Sequence, residues 1–266
     1  MVLIPVPDGA PYCIDERLTA YGDYAEFLAA KGQDYSGQPP ECESNKDYEP
    51  VMWVEETAFG DPTRTFCGPS MADANPDHAV RCIDFCDAFA YCSWAGKRLC
   101  GLRGSAGNEI FKFQATTIQE SNDFFFGRVL TVENESYNVC TQGGTTEYPY
   151  GDAERPGACL DDARVEAMGE DANAVRDTAG NECRGSQPPF DQVYDTVGSL
   201  GYWLNICSPS GLHCFVHGGV KRDDYQCRCL TTRIAYDSGV FQAGVRCCAD
   251  AVRSSHVVSN GVVNND

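Results

Sequence analysis

The chain has 266 residues, 42% of them apolar, with 16 cysteines spread from Cys13 to Cys248. That length and apolar content support a full hydrophobic core, so the cysteines are not compensating for a small one. They point to disulfides and an oxidising compartment rather than to a zinc framework, for which no Cys-x-x-Cys knuckle is present. A formal net charge of −19, with no Lys/Arg run longer than Lys97-Arg98 or Lys221-Arg222, excludes nucleic acid. No apolar stretch approaches the length that spans a bilayer.

Met1 to Pro5 is too short an apolar run for a signal peptide. Tyr12-Cys13-Ile14-Asp15 reads as a strand. Thr19 is placed to cap a helix ending near Gly32, whose Tyr21, Tyr24, Phe27 and Leu28 recur at helical spacing and form one apolar face. Residues 31–77 are rich in Pro, Gly, Asp, Glu and Ser and read as a long irregular insertion containing Cys42 and Cys67. A second helix is expected from Cys82 to Ala95, with Cys82, Phe85, Cys86, Phe89 and Ala90 on one face and Gly96 as its stop.

From Gly101 to Gly144, Gly-rich turns alternate with strand-like runs, including Phe124-Phe125-Phe126 and Arg128 to Val132. Asn134-Glu135-Ser136 is a glycosylation sequon. An acidic loop region follows from Gly151 to Glu182, without the Asp/Asn ladder of a helix–loop–helix calcium site. Leu212 to Val216 reads as a strand with His213 and His217 on one face, at the surface, and Cys214 on the other. Helix early and short strands and loops later give one α+β domain over residues 1–250, with a tail over 251–266.

Chemistry, if present, is expected between His217 and Cys248. This stretch holds Gly218-Gly219, Cys227-Arg228-Cys229 and Gly244-Val245-Arg246-Cys247-Cys248. His213, Cys214 and His217 offer metal donors, but a disulfide cysteine between surface histidines is the simpler reading. Cys227 and Cys229 are close enough for thiol-pair chemistry, although beside Cys247-Cys248 a disulfide cluster accounts for them. The serine-hydrolase elbow, the phosphate loop, the dinucleotide fingerprint and the zinc-protease motif are all missing.

A set of segments in order along nearly the whole chain resembles the formylglycine-generating enzyme (sulfatase-modifying factor) family. They are Met1 to Pro5; Cys13-Ile14-Asp15 with Leu18-Thr19 and Tyr24; Tyr91-Cys92-Ser93-Trp94-Ala95-Gly96-Lys97-Arg98-Leu99; Tyr148-Pro149-Tyr150-Gly151; Val193 to Gly198 with Trp203; Gly218-Gly219; and Gly244-Val245-Arg246. The resemblance implies a C-type-lectin-like α+β fold with few short helices and strands, often stabilised by calcium. It also implies an oxidase that converts a sulfatase cysteine to formylglycine with O2 and copper held by two cysteines beyond Arg-Gly-Gly-Ser.

The departures fall where that chemistry lies. Arg-Gly-Gly-Ser is His217-Gly218-Gly219-Val220 here, the first catalytic cysteine aligns with Asp223, and the second falls near Arg228, flanked by Cys227 and Cys229. Copper(I) wants two soft thiolates. The family's calcium motif has become Gly198-Ser199-Leu200-Gly201-Tyr202-Trp203, losing two oxygen donors, and after Leu99 a family helix is replaced by Cys100-Gly101-Leu102-Arg103-Gly104-Ser105.

The resulting expectation is a secreted, disulfide-rich, non-catalytic family member that acts as a binding or structural module for a protein or glycan partner or for self-assembly. Its contacts would come from Trp203, Asp223, Asp224, Tyr225 and Arg228. Calcium is the cofactor the resemblance implies. Copper belongs only to the alternative, an oxidase with its thiol pair relocated to Cys227 and Cys229. All sixteen cysteines are expected in disulfides: Cys13, Cys42, Cys67, Cys82, Cys86, Cys92, Cys100, Cys140, Cys159, Cys183, Cys207, Cys214, Cys227, Cys229, Cys247 and Cys248.

Overall fold

The computed structural model describes residues 1–6, 9–50, 71–104, 109–159, 183–198, 200–218, 226–234 and 243–251. Its first sheet takes strands from both ends of the chain. β1 (Val2–Ile4) and β2 (Tyr12–Ile14) are joined by β8 (Cys247–Asp250) and β3 (Arg98–Leu99) in the order β1-β2-β8-β3. The second sheet, β6-β5-β4-β7, is built from β4 (Gly201–Cys207), β5 (His213–His217), β6 (Leu230–Ile234) and β7 (Ala243–Gly244). β7 is parallel to β4, whereas the β4–β5 and β5–β6 pairs are antiparallel.

Two helices lie beside these sheets for reasons already present in the sequence. α1 (Tyr21–Lys31) buries Tyr21, Tyr24 and Phe27 and stops at Gly32, which adopts a positive φ. The cap differs from expectation. Thr19 is pinned by backbone bonds to Val245 and Val80, and its hydroxyl is engaged with Tyr91, so the extended Ala20 precedes the helix without a side-chain cap. α2 (Phe85–Trp94) starts three residues later than expected, at a reciprocal capping box between Asp84 and Asp87. Both carboxyls are pushed upward by burial, Asp84 to about 6.

Side-chain alternation along β8 sends its adjacent cysteines to opposite faces. Cys247 bonds Cys92 of α2 within the aromatic cluster around Tyr24, Phe27, Phe85 and Trp203. Cys248 bonds Cys100 within the other cluster, with Ile4, Ile14 and Leu204. Further bridges join Cys42–Cys86, Cys140–Cys227, Cys159–Cys183 and Cys207–Cys214, and Cys82 is also disulfide-bonded. Cys67 lies outside the described residues.

Two of the sixteen expected disulfide cysteines need correction, because Cys13 and Cys229 are not bridged. Cys13 sits opposite Leu3 and Ala249 on the outer face of the first sheet, away from Tyr12 and Ile14, which turn into the core. The strand-like run at Arg128 to Val132 is also corrected. α3 (Ile118–Phe124) opens at a Thr117/Glu120 capping box and runs directly into a π-helical turn over Phe125–Val129. There Phe124 and Phe113 stack at 4.6 Å, and Phe125 stacks on Phe215 at 5.7 Å.

The sequon asparagine, finally, is inside. Asn134 caps α4 (Glu135–Cys140) by accepting from the Ser136 N–H, its Nδ2 donates to the Val129 carbonyl at 3.0 Å, and it is fully buried. A glycan cannot be attached there in the folded chain.

Candidate binding groove beside Arg228

The turn that carries Arg228 is held from below by His217. This residue ends β5, the strand between β4 and β6, and it is fully buried rather than at the surface as expected. Its Nε2 lies 3.0 Å from the Cys227 carbonyl, and its Nδ1 lies 3.1 Å from the Tyr202 hydroxyl. A carbonyl can only accept, so Nε2 carries the proton and Nδ1 accepts from Tyr202. Burial, with Arg246 adding to it, pushes the imidazole down to about 4 against the Cys227 bond. His217 is therefore a neutral strut, and it does not ligate a metal with His213 and Cys214. His213 is exposed, and Cys214 is bonded to Cys207.

Gly218 closes this strut. It adopts φ 75°, and a Cβ there would come within 2.9 Å of the Thr196 carbonyl. Its N–H donates to the Cys229 carbonyl at 2.8 Å. On the other side of the turn, the Cys227 N–H donates to Glu147 O, the Gln226 amide donates to the Tyr148 hydroxyl, and the Cys140–Cys227 bond fastens the turn to α4. Behind it Tyr148 and Tyr150 stack at 5.5 Å, with the Arg155 guanidinium 4.6 Å from the Tyr150 ring centre.

The result is an open groove of ≈ 290 Å³ lined by Tyr137, Gly144, Thr145, Thr146, Glu147, Asp152, Gln226 and Arg228. It offers an exposed guanidinium, two carboxyl groups, hydroxyls and an amide, a mixture of hydrogen-bond donors and acceptors.

Of the residues expected to bind, the structure places Arg228 in the groove. Trp203 is corrected: it is fully buried, donates its indole N–H to the Ile83 carbonyl at 2.9 Å and packs edge-on against Phe85. Asp223, Asp224 and Tyr225 lie outside the described residues. The opposite wall, Thr145 to Asp152, was missed by sequence reasoning. Its one signal was Tyr148-Pro149-Tyr150-Gly151, which reads as a family match and not as a rim.

The relocated thiol pair is also corrected. Cys227 is bonded to Cys140, and Cys229 is buried with its sulfur 3.7 Å from the Gly218 carbonyl. One sulfur is thus committed elsewhere, and the residues do not fit a two-thiolate copper site. Among the described residues, the one cluster of three His, Cys, Asp or Glu donors is Cys100, Glu135 and Cys248. Its sulfurs are bonded to each other, and its carboxylate is held by Arg98.

The mixed helix-and-strand fold belongs to a known class. The sulfatase-modifying factor enzyme 1-like domain matches residues 8–183, more than half of the chain, and the chain belongs to that family. No curated protein matches. Among solved structures, PvdO from Pseudomonas aeruginosa aligns over 94% of this chain and 90% of its own at 14% identity and a TM-score of 0.49. CarF aligns over 95% and 94% at 12% identity and a TM-score of 0.48.

Proposed function

We propose that this chain is a non-catalytic member of the family, working outside the cytosol as a binding module whose protein or glycan partner docks in the groove at Arg228. The observation that carries this reading is the Cys140–Cys227 bond, which takes one sulfur of the Cys227/Cys229 pair and uses it to fix the groove. The dense bridging supports an oxidising compartment. The groove's polar lining supports recognition by hydrogen bonds rather than apolar burial.

The test has two arms. Copper(I) titration and incubation with a Cys-x-Pro-x-Arg peptide should give neither tight binding nor aldehyde, and tight copper binding with aldehyde formation would overturn the reading. A glycan array and a panel of purified extracellular proteins, each run with the native chain and with Arg228→Glu, should give a ligand lost in the variant.

A further inference from the structure

A second, larger cleft opens away from the groove, where the chain leaves the family pattern after Leu99. It has a volume of ≈ 660 Å³ and lies between the turn before β2, the segment after β3 and the end of β8. Its charged groups are unequally satisfied. Arg98 is held bidentately by Glu135 at 2.6 and 2.8 Å and also takes Asp250. Glu133 is paired with Arg128.

Arg103, on the same wall, makes no ion pair and no side-chain hydrogen bond among the described residues, and its Nε is buried without a partner. Elsewhere Arg17, Arg98, Arg128, Arg155, Arg184 and Arg246 each meet a carboxylate, a carbonyl or a ring. In a chain of net charge −19 an arginine without a counter-ion is out of pattern. A buried donor left unmet costs about 1–3 kcal/mol. Room is nevertheless kept for the group: a Cβ on Gly9 would fall 2.5 Å from the Arg103 Nη1.

The cleft also holds an exposed carboxylate. Asp250 lines the cleft and is 73% exposed, and both hydrogen bonds from Arg98 go to its Oδ1, so that Oδ2 takes neither of them. The walls therefore offer one guanidinium and one carboxylate oxygen. A dianion such as phosphate would face Glu133, Glu135 and Asp250, whereas a monoanionic carboxylate that also carries an ammonium group matches both ends.

We propose that this cleft binds a zwitterionic α-amino acid, its carboxylate on Arg103 and its ammonium group on Asp250. The site is separate from the groove at Arg228 and independent of the reading given to it.

The experiment is calorimetric titration of the full chain with the free L-amino acids, with the matching carboxylates lacking the amine and the matching amines lacking the carboxylate as counter-probes. At least one amino acid should bind, and either half alone should bind more weakly. Arg103→Gln should weaken binding by roughly ten- to a hundredfold, with its unfolding transition unchanged, and Asp250→Asn should weaken the amino acid but not its deaminated counterpart. In the native protein, the arginine Nε–H resonance missing from the spectrum of Arg103→Lys should shift on addition of the ligand, a readout that does not depend on a variant folding. Absence of heat and of any shift across the panel at millimolar concentration, or equal binding by the native chain and Arg103→Gln, overturns the proposal.

Discussion

Two cysteine doublets, Cys247-Cys248 on β8 and Cys227/Cys229 on the groove turn, start from nearly the same sequence signal and end in different chemistry. On a strand, neighbouring side chains face opposite ways, so Cys247 and Cys248 reach separate core clusters and bind two layers to one strand. On the turn, Cys227 reaches Cys140, while Cys229 points back to the Gly218 carbonyl and keeps its thiol. Cysteine density in a sequence thus reports that bridges exist, but the local backbone decides which sulfurs meet.

The sharpest way to break this contrast is at the β8 corner. Glu135→Gln removes the bidentate partner of Arg98 in a fully buried site. It should cost about 3–5 kcal/mol in denaturant unfolding. Removing the Cys92–Cys247 bond, which closes a separation of 155 residues, should cost about 2–4 kcal/mol. Removing Cys207–Cys214, with a separation of 7, should cost clearly less. Equal losses for the two bridges would contradict the view that β8 ties distant layers together.

The groove side should respond to acid instead. The neutral His217 has a folded pKa near 4, whereas an unfolded histidine titrates near 6.5. Between those values the unfolded chain takes up a proton that the native state refuses. This contribution is complete above pH 6.5 and is lost as pH falls toward 4, about 2 kcal/mol of it by pH 5.

Asp84 has the opposite sign. Its carboxyl is raised to about 6, so the native state holds its proton more firmly, and that contribution is present at low pH and lost as pH rises through 6. His217→Gln should therefore flatten or reverse the pH dependence of unfolding, and Asp84→Asn should steepen it. A pH profile unchanged in His217→Gln would remove the imidazole from its role as a neutral strut.

The smallest effects concern exposure. Arg228→Ala, on an exposed rim, should change stability by less than about 0.5 kcal/mol while lowering partner binding. Alkylation of the native protein followed by intact mass should modify Cys13 first, because it is partly exposed, and buried Cys229 only after unfolding.

Much of this architecture was legible in the sequence. The spacing of Tyr21, Tyr24 and Phe27 gave α1, that of Phe85, Cys86 and Phe89 gave α2, and Gly32 and Gly96 marked their ends. Periodicity is a local property, and it served wherever local order decided the outcome. It misled at Phe124 to Val132, where a short apolar run suits a strand or a helix equally and the Thr117 cap decides. It could not reach Trp203, His217 or Asn134, whose burial depends on partners 120, 10 and 5 residues away. The groove was half visible, since Arg228 stood in a suspect segment while its opposite wall lay 80 residues upstream in a stretch with no chemical signature.

Arg246 adds a consequence for the order of assembly. Its buried guanidinium gathers the carbonyls of Asp15, Glu16, Tyr194 and Asp195, and the strand that follows it lies between β2 and β3 and pairs with both. During synthesis, β1 and β2 emerge first yet have no sheet to complete until residues 246–250 leave the ribosome. The helices can form as they appear, but closure of the first sheet is a late, long-range event. The native partners of Cys92 and Cys100 lie about 150 residues downstream, so their native bridges also form late. Any earlier bridge these cysteines form has to be exchanged for the native one before the first sheet closes.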